Sequence, residues 1–275
     1  MWQWLRQLGK GGRETLVALS RPAGRRIPEA LWRETLARYP FLAGRGNAHE
    51  DRLRQLSLSF LDSKEFHGAK GLVVTDAMAL AIAAQACLPV VRLGLHWYDD
   101  FVGVVVQPGE VLAHREVTDE FGVVHRYHEV LAGEAMEQGP VMLSWPDVEL
   151  ASAGAEHSYN VVIHEFAHKI DMRNGLADGC PPLPLGFSGS KTASEAHAMW
   201  LAAMQFEYET FRERSILAER FSGAKTWLDP YGATSIDEFF AVACEGYFLN
   251  RERFSAEHPR LLPLFDEFFQ PQPRR

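Results

Sequence analysis

The sequence predicts an α+β fold, with a small sheet ahead of one apolar helix that carries polar residues, and further helices flanking both. Three observations lead there. Strand-like runs cluster between residues 90 and 145, and helical periodicities lie on either side of them. The stretch Asn160-Val-Val-Ile-His-Glu-Phe-Ala-His-Lys-Ile-Asp171 has apolar residues at helical spacing. A 47% hydrophobic content in 275 residues is enough for a substantial core.

Residues 1–26 hold six Lys or Arg against one Glu, with glycines at 9, 11, 12 and 24, so a basic flexible arm is expected over 1–27. From Pro28, Leu31, Trp32 and Leu36 mark a first amphipathic helix that Pro40 ends. Leu53, Leu56, Phe60 and Leu61 mark a second, between Glu50 and Leu61, and the pair is expected to form a lid or flank. Thr75 or Asp76 caps Ala77–Cys87, which is apolar nearly all round and therefore expected to be buried. Strand signals follow at 90–95, 102–106 and 122–131. Val141–Trp145 is a further short strand, and its flanking Pro140 and Pro146 suggest a sheet edge. Residues 146–151 read as a short helix or turn, and the helix of the central stretch is expected to start near His157 or Ser158.

Beyond it, residues 174–186 lack any period and read as a loop. Residues 194–214 form a long amphipathic helix with Met199, Trp200, Ala203 and Phe206 on its apolar side, and 239–248 another. Pro259 and Pro263 punctuate a last element over 264–269. No repeat or composition shift divides 28–270, expected to be one domain, and 271–275 should fray.

The chemistry concentrates in the central stretch. His164 and His168 lie four residues apart, on one helical face, where two imidazoles can each aim a nitrogen at one Zn²⁺. Glu165, beside the first, can reach a water there and take its proton. Three polar groups on an otherwise apolar helix are costly to bury without such a partner, although an exposed turn with two histidines would have the same sequence.

Composition excludes several other classes. A formal charge of −8 argues against direct nucleic-acid binding, which needs a basic face to displace counterions. Cys87, Cys180 and Cys244 are odd in number and widely spaced, which suits neither a disulfide framework nor a Cys-type zinc site; a reducing cytoplasm is the expected setting. No apolar run approaches a membrane span, and Leu16–Leu19 is too short for a signal peptide.

Two histidines leave a catalytic zinc site one protein ligand short. His197 and His258 are candidates. Glu238 is another, because it opens an apolar helix able to pack on the central one and so complete a His₂Glu set. Ser235-x-x-Glu238 also reads as a capping box, and the pattern leaves both readings open.

The combination His164-Glu-Phe-Ala-His-Lys-Ile-Asp-Met172, Asp229-Pro-Tyr-Gly-Ala-Thr-Ser235 and Glu238-Phe-Phe-Ala241 resembles the Mlc titration factor A family of zinc metallopeptidases. Phe60-Leu-x-x-Lys64, Gly71-Leu-x-x-Thr-Asp76, residues 82–89 and Gln138-Gly-Pro-Val-x-Leu-Ser-Trp145 are similar to that family's segments too, so the resemblance covers about 28–270 and leaves the basic arm outside it. It implies a zincin-like metallopeptidase with a small mixed sheet and one Zn²⁺ per chain, held by His164, His168 and Glu238. Glu165 would be the base. The His-Glu-Phe-x-His motif and Tyr231, seven residues before Glu238, are also similar to the anthrax toxin lethal factor catalytic domain. That likeness suggests a phenol suited to the developing oxyanion, although Tyr231 could equally be a packed rim residue.

One departure is Gln107, where the family pattern suggests tyrosine. The resemblance further implies a peptide substrate, with aminopeptidase-type action among the options, and binding of an Mlc-like transcription repressor of glucose phosphotransferase genes. The competing expectation is a non-catalytic protein that sequesters the repressor and whose zinc site is structural or vestigial. The strand 141–145, if at an edge, could pair with an extended peptide. Asp171 and Glu245 each read either as supports for a ligand or as exposed helix charges, and stand outside the expected site.

Overall fold

A computed structural model describes residues 26–109, 111–118, 124–131, 133–151, 158–221 and 223–270. The expected arm over 1–25, the expected helix start near His157 and the tail 271–275 lie outside the described residues; for 111–118 and 124–131, the backbone alone is described.

Small side chains let a helix sit at the centre of a core. In α3 (Asp76–Cys87), every residue from Met78 to Cys87 is buried, and the Thr75 hydroxyl caps it by accepting from Met78 N at 3.2 Å. Along it lie α2 (Asn47–Ser63), which buries Leu53, Phe60 and Leu61, and α1 (Glu29–Arg38), which buries Trp32. Ile27, within the expected arm, is also buried, and its carbonyl accepts from Arg54.

The sheet is mixed. Strands β1 (Glu65–Gly68), β2 (Gly103–Gln107), β5 (Gly133–Ala135) and β6 (Val141–Ser144) run in the order β1-β2-β6-β5. β1 pairs with β2 and β2 with β6 in parallel, while β5 lies antiparallel to β6 with Gly133 opposite Leu143. Between them in sequence, β3 (Val111–Thr118) and β4 (Val124–Leu131) form a separate antiparallel ribbon, Val111 opposite Leu131.

Two strand expectations need correction. β6 is an interior strand, and β5 takes the edge. The prolines do not prevent this: Pro140 precedes the paired residues, and Pro146 falls in the first turn of α4 (Trp145–Leu150), where a missing N–H breaks no helical bond. The apolar run 90–95 forms turns rather than a strand, with Gly94 N bonded to Val90 O at 2.7 Å. Its valines are buried, and burial alone produced the strand-like signal.

After the central helix, α6 (Ala193–Phe221) turns Ala196, Trp200, Met204 and Phe211 inward. Met199 and Phe206, expected on that face, are 36% and 47% exposed, and Arg260 covers the Phe206 ring at 3.9 Å. The inner stripe is set one position round the helix from the expected one. α7 (Ile236–Leu249) is buried from Phe239 onward; α8 (Arg251–Glu257), unread in the sequence, anchors through Phe254. α9 (Leu261–Phe269) starts before Pro263, which its first turn accommodates. No helix among the described residues is long and apolar enough to cross a membrane.

Candidate metal centre

The helix that carries the two histidines, α5 (Val161–Asp171), starts where Asn160 caps it. The Asn160 side-chain oxygen accepts from Ile163 N at 2.9 Å while its amide donates to Gln85 Oε1 of α3 at 2.8 Å. Ser158 precedes this cap, so a start there is too early. Val162, Ile163, Phe166, Ala167 and Ile170 face the core, and Phe166 meets Phe60, Tyr98 and Phe101. Lys169, with no exposed side chain, donates to Met136 O at 2.5 Å and Gly139 O at 2.9 Å, which clamps the β5–β6 hairpin onto the helix.

On the remaining face, His164 and His168 enter a cavity of about 320 Å³. Their Nε2 atoms stand 3.2 Å apart, and Glu238 Oε2 lies 2.9 Å from that of His164 and 3.2 Å from that of His168. The three donor atoms lie within 4.8 Å of one another. Ser235 makes no side-chain capping bond, so Glu238 is turned to the imidazoles and the capping-box reading fails. His197 and His258 are elsewhere, bound to Asp178 at 3.1 Å and to buried Glu207 at 2.9 Å.

Glu165 is buried against Gly133 and lines the same cavity. Tyr231 reaches it from a 3₁₀ turn, Pro230–Ala233, that Asp229 caps by accepting from Tyr231 N at 2.9 Å. The Tyr231 hydroxyl donates to Glu238 Oε1 at 3.4 Å. All five expected site residues thus meet in one cavity. Among the described residues, α1 and α2 contribute nothing to its lining, so they are a flank and not a lid; Gln107 is not part of it either.

A residue left outside the expected site belongs beside it. Glu245, two turns after Glu238 on α7, places Oε1 2.9 Å from His164 Nδ1, and its Oε2 accepts from Asn160 N. An ionised Glu245 accepts a proton bond at Nδ1, which leaves the Nε2 lone pair facing His168 and Glu238. The i, i+7 spacing on one face was the available signal. Asp171 is buried rather than exposed, and Oδ2 accepts from Gly179 N at 2.9 Å, which ties down the following loop.

The electrostatics follow from burial among carboxylates. Burial pushes Glu165 above its ordinary value against the pull of both imidazoles, and pushes Glu245 up to about 7. Burial alone would lower the histidines; their carboxylate partners, Glu238 for both and Glu245 for His164, hold them raised. For Glu238 the two imidazoles outweigh burial and keep it far below the usual carboxylate range. Two nitrogens and one oxygen converge, and neutral imidazole with carboxylate is the donor set that a borderline divalent metal takes. The residues fit a metal of that kind.

A family model described as glucose-regulated metallo-peptidase M90 matches residues 17–270. The chain belongs to this M90 family. Its α+β, zincin-like fold agrees with that membership, and the matched region extends into the basic stretch that the sequence reading placed outside the resemblance. Among curated relatives, a protein named Mlc titration factor A from Klebsiella pneumoniae (strain 342) is 33% identical over 246 residues, 89% of this chain and 87% of its own length. The protein of the same name from Edwardsiella ictaluri (strain 93-146) is 35% identical over 243 residues, 88% of this chain and 87% of its own. That from Escherichia coli O9:H4 (strain HS) is 32% identical over 243 residues, covering 88% and 86%. This M90 chain is therefore a metallopeptidase-family protein along most of its length.

Proposed function

We propose that the chain is a zinc-dependent peptidase, with one Zn²⁺ held by His164, His168 and Glu238. The observation that carries this reading is the convergence of those three donors with Glu165 in one cavity. Bound zinc supplies Lewis-acid polarisation of the scissile carbonyl and a more acidic water. Glu165, kept protonatable by burial, takes a proton from the attacking water and delivers it to the leaving amine. Tyr231 donates its phenol proton bond to the developing oxyanion, and Glu245 fixes the His164 tautomer. The β5 edge, which lines the cavity through Gly133, Glu134 and Ala135, is the place for an extended peptide to pair, in the role first expected of β6.

The name of the relatives supports a second role, binding an Mlc-like repressor, with the catalytic unit carried by residues 28–270. The three free, buried cysteines support a cytoplasmic setting. A peptide-mixture assay separates the readings: wild type cleaves, chelator abolishes cleavage, and Glu165→Gln retains zinc while losing hydrolysis by about 10²-fold or more. A non-catalytic repressor-binding protein would give no chelator-sensitive cleavage in either form, yet would still be retained on immobilised repressor.

A further inference from the structure

Gly133 opens β5 opposite Leu143 and is buried. A Cβ built on it would stand 2.6 Å from both Cγ and Oε1 of Glu165 and 2.8 Å from Cδ, far inside the roughly 3.5 Å at which carbon atoms rest. Gly133 is not among the glycines with positive φ, so the lack of a side chain answers to space and not to backbone conformation. The strand cannot readily yield. The ladder to β6 holds it on one side, and Lys169, one turn along the helix that bears Glu165, binds the carbonyls of Met136 and Gly139 in the hairpin turn. A side chain at 133 must therefore displace Glu165.

We propose that Gly133 is a positioning residue for Glu165: its bare α-carbon is the wall that fixes where the Glu165 carboxylate stands beside the triad of His164, His168 and Glu238. This rests on Glu165 acting as the base. The three atoms nearest a methyl group at 133 all belong to Glu165, which is not one of the three converging donors, so the expected effect falls on proton transfer rather than on metal affinity.

Two double-mutant cycles test it. In metal-stripped protein, Gly133→Ala lowers Tm by roughly 2–10 °C, and the loss largely disappears in a Glu165→Ala background, where the clashing atoms are gone. With zinc loaded, Gly133→Ala lowers kcat about 10²-fold, and this loss shrinks to less than about 2-fold in a Glu165→Gln background, where no base remains to misplace. Equal Tm losses in both backgrounds would overturn the proposal, because the methyl would then be acting on the strand. Should Gly133→Ala fail to fold, a folded Gly133→Ala/Glu165→Ala double variant supports the contact, and an unfolded one refutes it. The stability cycle uses neither zinc nor substrate, so absence of peptidase activity would count against the enzymatic reading and leave the contact to be judged alone.

Discussion

Glu245→Gln replaces one oxygen of a buried carboxylate by an NH₂ group and leaves the shape unchanged. In the wild type, both oxygens accept, one from His164 Nδ1 at 2.9 Å and one from Asn160 N. A glutamine has one acceptor and one donor, so either orientation fails at one end. With its oxygen toward His164, its NH₂ faces the Asn160 N–H, two donors in a buried space. With its oxygen toward Asn160, the NH₂ requires Nδ1 to accept, which moves the imidazole proton to Nε2 and removes the lone pair aimed at His168 and Glu238. Losing such a support typically weakens metal affinity by about 10–100-fold, or roughly 1.4–2.8 kcal/mol. The assay is zinc affinity by competition with a calibrated chelator, with circular dichroism to confirm the fold. An affinity within about 2-fold of wild type, in a folded variant, would refute the role given to Glu245.

Further outcomes are expected at other residues. Tyr231→Phe removes the hydroxyl 3.4 Å from Glu238 Oε1 and keeps the ring, so kcat should fall about 10²-fold with KM and zinc content little changed; unchanged kcat would make Tyr231 a rim residue. Asp171 is raised from 3.8 to about 7, chiefly by burial. A carboxyl whose folded value is raised contributes stability that is full below its unfolded value and is lost as pH rises through the folded one. Asp171→Asn keeps an oxygen for Gly179 N but cannot ionise, so it should gain on the wild type between about pH 4 and 7. The gain is on the order of 4 kcal/mol at most, and a pH-independent gap between denaturation curves would contradict it.

What the sequence made legible was local chemistry at helical spacing. His164, Glu165 and His168 could be assigned because a period of 3.6 places them on one end of one helix face. Glu238 could not be separated from a helix cap by its pattern, since Ser235-x-x-Glu238 satisfies both; only family resemblance favoured it, and in the fold Ser235 makes no cap bond while the Glu238 carboxylate faces His164 and His168. Glu245 sits on the same face as Glu238, but its partner lies 81 residues away, across the α5–α7 contact, and no local period encodes that. β5 is three residues long, Gly-Glu-Ala, too short for any alternation, so the edge strand was invisible and its place was given to β6. The Gly133 contact was hidden for the same reason.

The most direct measurement is recovery of peptide cleavage as zinc is added back to fully stripped protein. Activity should rise linearly, break at one equivalent per chain and stay flat, with recovery lower by about 10²-fold or more at every zinc level for Glu165→Gln and none at one equivalent for His164→Ala, His168→Ala or Glu238→Ala. Cleavage by the stripped wild type, or full recovery at one equivalent by Glu238→Ala, would contradict hydrolysis at a single site built from these residues.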